Sequence, residues 1–494
     1  MNTATTATDP KFPTFRRISA GLARAADRCL HRLRRIFFSK TSLKICLTTV
    51  SLICLAYTGF RWQGRRAWQA ERERVEALGM ATEWKDLLLP MPADADNFLA
   101  APPFAGLFFP PYPKAPQLRM WMDRNLIETK TGDRNGPLFV RHPDTLAGWC
   151  ARFRENGTLP PQPAQDSSAG ELLADKRWEA TIQAVYAAAE RPDARIPIPM
   201  TGPAYQDENH RFDIQFRLAR SLQLYARANL EEGHILEALP VFRIISHLVS
   251  ANALDTRDSA SLTAASHLSF QKPLLLEGMA RHALPAGILE KIIKDNYPEL
   301  LRRSARRSFE YARLNLVSRM ERDRGAWWAN LKQQKPWKSV LEFATPDYLF
   351  MRMAVRYSRF YAVMPQAAAP LEGEESWAFK AASLKEPWNL NFGPIAIFGN
   401  DLSQRGQFIT WLIQPVVSAT LHHLAAALEL HYLKYGRYPA GLAELETGLS
   451  PGALRDVEGQ PFGYSIDAEG AHFTLTSNGL YNTKDIWSTL PANP

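Results

Sequence analysis

Leu43 to Phe60 reads LKICLTTVSLICLAYTGF, eighteen residues with a single charge, Lys44, near the start. Ile45 to Phe60 alone is uncharged and gives about 24 Å of helix at 1.5 Å per residue. A bilayer hydrocarbon core is about 30 Å thick, so the stretch is short but workable. Lys44 can snorkel to the headgroups, and Ile36-Phe37-Phe38 can extend the apolar contact. The competing reading is a helix buried in a soluble core. Basic residues before the stretch, and mixed charge after Arg66, favour the membrane.

Charge sets the orientation. The 494 residues carry 59 Lys+Arg and 50 Asp+Glu, a net of +9. Ten of the basic residues (Lys11, Arg16, Arg17, Arg24, Arg28, Arg32, Arg34, Arg35, Lys40, Lys44) lie before the span or at its start, against only Asp9 and Asp27. After the span Arg61, Arg65, Arg66, Arg72 and Arg74 are partly offset by Glu71, Glu73 and Glu76. The positive-inside rule then keeps the N-terminus cytoplasmic and sends residues 61–494 out. The exported part is nearly neutral, which disfavours a nucleic-acid-binding body, because phosphate neutralisation needs a basic face. A cleaved signal peptide would have a shorter leader and a small-x-small site after the apolar run. A lipoprotein would carry a small residue before Cys54, where this chain has Ile53. The reading is an uncleaved anchor in the inner membrane, a single pass with the bulk extracytoplasmic.

The leader is itself patterned. At 100° per residue Arg17, Arg24, Arg28, Arg32 and Arg35 fall within an arc of about 80°. Ile18, Leu22, Ala25, Cys29, Leu33 and Ile36 lie opposite. Such a basic amphipathic helix suits an anionic cytoplasmic leaflet. Of the four cysteines only Cys150 falls in the outer compartment, which predicts a lone buried thiol.

Outside the membrane the sequence predicts a mainly α protein. Six segments follow: a basic amphipathic leader (1–42), the transmembrane helix (43–60), a membrane-proximal helix with a Pro-rich region (61–155), a linker (156–168), a helical domain (169–394) and a small α+β module (395–494). Residues 62–89 read as a helix stopped by Pro90 and Pro92. Pro102–Pro116, with Phe104, Phe108, Phe109 and Tyr112 among its prolines, is expected to run extended over an apolar surface of its own domain. Asn156–Ser168 is the clearest linker, and Ser168 with Glu171 forms an S-x-x-E capping box opening a helix to about Arg191. Phe212–Asn296 is helical throughout. Ala226, Ala238 and Phe242, with Gly233 at the turn, follow the small-small-aromatic order of one tetratricopeptide-type hairpin. Arg302–Met320 and Tyr348–Val363 add two helices, and Trp327-Trp328 reads as packing.

From Pro415 the pattern changes. Val417, Leu421, Leu424, Leu428, Tyr432 and Tyr435 form one helical stripe, ended by Gly436 as a C′ residue. Phe462–Ile466 and His472–Thr476 alternate around Asp467-Ala468-Glu469-Gly470 as an antiparallel hairpin. This is an α+β ending.

The string LELHYLKYGRYPAGLAEL (Leu428–Leu445) resembles the end of the long helix in type II secretion pseudopilins, with Tyr432, Gly436, Tyr438, Pro439, Leu442 and Leu445 in the family's places. Asp456, Gly459, Pro461, Tyr464, Phe473, Leu475 and Ser477 follow its D-x-x-G-x-P…Y…F-x-L-x-S order. The resemblance covers about 60 residues at the level of a sequence motif, and implies a pilin-like α+β module. The chain departs from the family in having its span far upstream and no prepilin processing site. Major pseudopilins bind calcium in an acidic loop. The corresponding Ser477–Asp485 has one carboxylate and a lysine, too few hard ligands for tight binding. The exported chain is also similar to uncharacterised bacterial single-span envelope proteins, which supply no activity. The bacterial resemblance ranks a mitochondrial presequence below the membrane-anchor reading of the leader.

No motif identifies a reaction. His422, His423 and His431 share one helix, but no two are three or four residues apart, and His422 and Glu429 are about 10.5 Å apart along it. H-E-x-x-H, C-x-x-C, Gly-x-Ser-x-Gly and Walker patterns are missing. Glu231 with His234 reads as capping, while Glu277/His282 and Ser266/His267 have no catalytic spacing. The sequence therefore names no catalytic, cofactor-binding or metal residue and no cofactor. It favours a structural or protein-interaction component of the bacterial envelope, associated with secretion, with the membrane and a protein as partners. The alternative is a membrane-tethered extracytoplasmic hydrolase with its site in the helical domain, because triads assemble from distant residues.

Overall fold

The structure, a computed structural model, describes residue 27 and residues 39–102, 104–109, 145–155, 157, 159–161, 167–174, 179–196, 208–255, 260–334, 351, 354–355, 358–359, 405–445, 454–455, 460–478 and 484–489. The chain divides into two compact units, one of residues 1–73 and 320–356, the other of 74–319 and 357–494.

Most of helix α1, Lys40–Ala77, 38 residues without a break, lies in the first unit, its last four residues falling in the second. Its apolar stretch lacks Pro and acidic residues, so nothing interrupts the ladder. Leu43, Ile45, Leu52, Ile53 and Leu55 are each at least 60% exposed. None of the apolar window is covered by protein, and a soluble surface does not carry such a patch without a use for it. Among the described residues two helices are long and apolar enough to cross a bilayer. The second, Ile235–Ala253, has 61% of its window buried and belongs to the core.

The second unit is a helical bundle with a small sheet at one end. Trp84–Leu87 (α2), Ala105–Phe108 (α3), Leu146–Glu155 (α4), Ser168–Ala174 (α5) and Glu179–Ala188 (α6) precede the bundle. Glu208–Glu231 (α7), Ile235–Ala253 (α8) and Ala260–Ala280 (α9) pack on one another, with α4 and α5 against α7 and α6 against α8. Gly233 turns α7 into α8 at φ +79°, a conformation that costs other L-residues. Ala226, Ala238 and Phe242 are buried between these helices. Ala286–Asp295 (α10) and Tyr297–Gln334 (α11) follow, and Arg405–Tyr435 (α12) lies against α9 and α10. Three antiparallel strands, Gly463–Ile466 (β1), Phe473–Asn478 (β2) and Lys484–Ser488 (β3), stand in the order β1-β2-β3. Ile466 pairs with Phe473, and Leu475 with Trp487. Asp467 holds the β1–β2 turn by accepting from the N–H groups of Ala471 and His472 at 2.8 and 3.1 Å.

Several expectations are corrected. The Pro-rich stretch is not wholly extended: Ala105–Phe108 makes one helical turn. Prolines flank that turn without entering it, so its hydrogen bonds survive. Phe104 and Phe108 sit in the core, with the Phe98 and Phe104 rings 4.9 Å apart. The N-cap expected at Ser168 is Ser167, whose Oγ accepts from Gly170 N–H at 2.8 Å. Glu171 pairs with Arg154 rather than folding back on the cap. The described helical residues beyond it form two helices, α5 and α6, in place of one. A third strand, Lys484–Ser488, joins the expected hairpin. Only five residues long and half polar, it shows no alternation from which to read it.

The boundary expected at 394/395 does not coincide with a break in the core. One cluster of buried residues runs from Phe98 through the bundle to Trp487. Helix α12 explains why. It has no single stripe: Val416, Val417 and every residue from Ala419 to Glu429 are buried. A helix apolar all round is a central helix, and α12 is enclosed chiefly by α9 and α10 and more lightly by β2 and β3. The expected stripe also ends early, since Tyr435 is 57% exposed.

Parts of the sequence reading lie outside the described residues: the leader other than Asp27 and residues 39–42, most of the linker, most of Tyr348–Val363, the side chains of Trp327-Trp328, and residues 479–483 of the Ser477–Asp485 loop.

Candidate functional site

Helix α9 ends in a Schellman turn. His282 N–H donates to the Met279 carbonyl at 3.0 Å, and Ala283 N–H to that of Gly278 at 2.9 Å. The left-handed position, normally glycine, is His282 at φ +50°. The glycine that the turn does need is Gly278, where a Cβ would come within 2.6 Å of the buried Leu284 side chain. Retaining a histidine in that backbone conformation calls for a side-chain contact that compensates it.

That contact is with Glu429. His282 Nδ1 lies 3.1 Å from Glu429 Oε1, and the Tyr438 hydroxyl donates to Oε2 at 2.6 Å. Gly436, at φ +73°, ends α12 and reverses the chain, and its N–H donates to Tyr432 at 2.7 Å. The reversal returns Tyr438 to the helix it has just left. The His282 ring stacks on Tyr432, 3.8 Å apart and 6° from parallel. Tyr438 in turn meets Phe473 of β2 edge-on at 5.0 Å. One carboxylate thus joins the end of α9, the end of α12 and the sheet.

The electrostatics follow from burial. The Glu429 side chain has no exposed surface. Desolvation raises its pKa, opposed by the hydrogen bonds from Tyr438 and His282. Burial, and then the neighbouring Glu429, push the Tyr438 hydroxyl far above its ordinary range. With Nδ1–H directed at the carboxylate, a neutral His282 carries its lone pair on Nε2. The ring is 26% exposed, and among the described residues Nε2 has no protein partner. In that tautomer Nε2 is a hydrogen-bond acceptor. Among the described residues His282 makes no hydrogen bond to a Ser, Thr or Cys.

The histidines singled out in the sequence are dispersed. His422 lies between the edges of Tyr297 (5.9 Å) and Trp487 (5.3 Å). Its Nε2 is buried without a protein hydrogen bond among the described residues, and desolvation lowers its pKa to about 3. His431 bonds the Arg437 carbonyl at 3.0 Å. His267 is fully buried with its pKa lowered to about 4 by desolvation, and Nδ1 bonds the Thr263 carbonyl, while Ser266 bonds Leu262. Glu277 pairs with Arg281 at 2.8 Å, leaving His282 to Glu429. His234 is the N-cap of α8, with no capping bond from its side chain. No cluster of three metal-ligating side chains occurs among the described residues. Cys150 is buried, with Sγ 3.4 Å from the Ser168 carbonyl and its pKa raised to about 11, first by desolvation.

The His282–Glu429 pair escaped the sequence reading because its members are 147 positions apart. The one available signal was Tyr432…Gly436-x-Tyr438, whose two tyrosines flank the pair. Comparison of the chain with family models, curated proteins and solved structures finds no match to any of the three.

Proposed function

We propose that this chain is a single-pass inner-membrane protein of the bacterial envelope, N-terminus cytoplasmic, whose extracytoplasmic body is a structural or protein-interaction component associated with secretion. The carrying observation is α1: an apolar stretch left wholly uncovered runs without a break into a charged helix. The α7–α8 hairpin, with Ala226, Ala238 and Phe242 at its contact, supports a tetratricopeptide-type partner surface. The Gly436–Tyr438 reversal and the three-stranded sheet support a pilin-like end. With its span far from this module, the chain acts as a docking body and not as a fibre subunit. Alkaline extraction of membranes tests the anchor. The full-length chain is expected in the pellet, and Ile53→Arg with Leu55→Arg in the soluble fraction. Release of the unsubstituted chain would refute it.

A hydrolase is the second reading, supported by the outward Nε2 of His282 on a buried carboxylate, an orientation that suits a general base. It requires ester or amide hydrolysis by the full-length chain that disappears in His282→Gln while thermal unfolding stays cooperative. Hydrolysis unchanged by that substitution would exclude this site.

A further inference from the structure

The helical turns that follow the apolar stretch form a collar. Arg61, Arg65 and Arg66 lie one, five and six residues beyond Phe60, so about 1.5–9 Å along the axis. The headgroup layer on each side of a bilayer is about 5–8 Å deep, so these guanidinium groups fall at headgroup depth. At 100° per residue Arg61 and Arg65 lie within about 40° of each other, with Trp62 and Arg66 on the adjoining face. All four are exposed, and Arg66 Cζ lies 5.3 Å from the Trp62 ring centroid. The opposite face holds Gly64 and Glu71, both buried. No acidic residue occurs from Phe60 to Ala70 along the chain, the first after the apolar stretch being Glu71.

We propose that Arg61, Trp62, Arg65 and Arg66 form a binding collar for anionic phospholipid headgroups, in the leaflet opposite the basic leader. The inference rests on the membrane reading and names the lipid class that the anchor selects. The guanidinium groups take phosphate oxygens by charge-assisted, two-pronged hydrogen bonds. Trp62 fixes the depth of the collar, its ring suited to the interface.

The test places the photo-crosslinking residue benzoylphenylalanine at position 63, an exposed glutamine of the same turns. The full-length chain is put into vesicles in which one lipid in four is phosphatidylglycerol and the rest phosphatidylcholine. Position 63 reports only its own leaflet, so the leader does not contribute. Phosphatidylglycerol is expected several-fold above its bulk share among the adducts. With Arg61→Gln, Arg65→Gln and Arg66→Gln together, it is expected at bulk share with the total adduct yield unchanged. Bulk composition in the unsubstituted chain, or enrichment that survives the triple substitution, would overturn the collar. Absence of any lipid adduct would overturn the membrane reading with it.

Discussion

His282 and Glu429 meet at 3.1 Å, and their ring-to-carboxylate contact closes two helix ends at once. His282 occupies the left-handed position after α9, and Glu429 lies in the last turns of α12, hydrogen-bonded by the tyrosine that follows that helix. The contact fastens the C-terminal reversal, and the sheet beyond it, to the bundle.

His282 is held between backbone strain and side-chain gain, and two substitutions separate them. His282→Ala keeps the positive φ and loses the ring, whereas His282→Gly loses the ring but relieves the backbone. Glycine is expected to be the more stable of the two by roughly 1 kcal/mol, with both below the native chain. Thermal unfolding checks the order.

Glu429 gives a signed pH dependence. Its native pKa is raised by burial, so above the ordinary carboxylate range the native state holds the proton more tightly than the unfolded chain does. Stability from this group is therefore present at low pH and falls as pH rises from about 4.3 through the raised native value. Glu429→Gln, which stays neutral, is expected to remove that decline. Melting temperatures of the two proteins across this window give the comparison.

How much of this was legible beforehand depends on range. The long apolar helix α1, Gly436 as the stop of α12 and the β1–β2 hairpin each depend on neighbours within a few residues, and their spacing is readable. Helix α12 was not, because a stripe of Val417, Leu421, Leu424 and Leu428 looks one-sided until Ala419, Thr420, His422 and His423 are also covered. Small and polar residues on the remaining arc resemble a solvent face, and only the positions of α9 and α10 show otherwise. The His282–Glu429 contact was hidden for the same reason: no local spacing joins a turn after one helix to the interior of another.

Buried neutral histidines oppose acid. His422 and His267, with native pKa values near 3 and 4, bind protons in the unfolded chain below about 6.5 but not in the native state. Their contribution is intact above about pH 6.5 and is lost as pH falls toward those native values. His422→Phe keeps an aromatic edge between Tyr297 and Trp487 and removes the titration. It is expected to lower the midpoint pH of acid unfolding, read by tryptophan fluorescence.

Enclosure of α12 by α9 and α10 makes the C-terminal hundred residues dependent on the bundle. The fragment 395–494 alone is expected to show little cooperative unfolding by circular dichroism. The sequence by itself points to an independent module. In the full chain Leu428→Ala is expected to cost about 2–5 kcal/mol, as for a leucine removed from a closed core.

Anchorage by α1 with the body outside is the claim on which the rest stands. Fusion after Pro494 of a reporter enzyme active only outside the cytoplasm measures it directly. The account expects an active, membrane-bound fusion at full length. A fusion stably made, membrane-bound and inactive would contradict it.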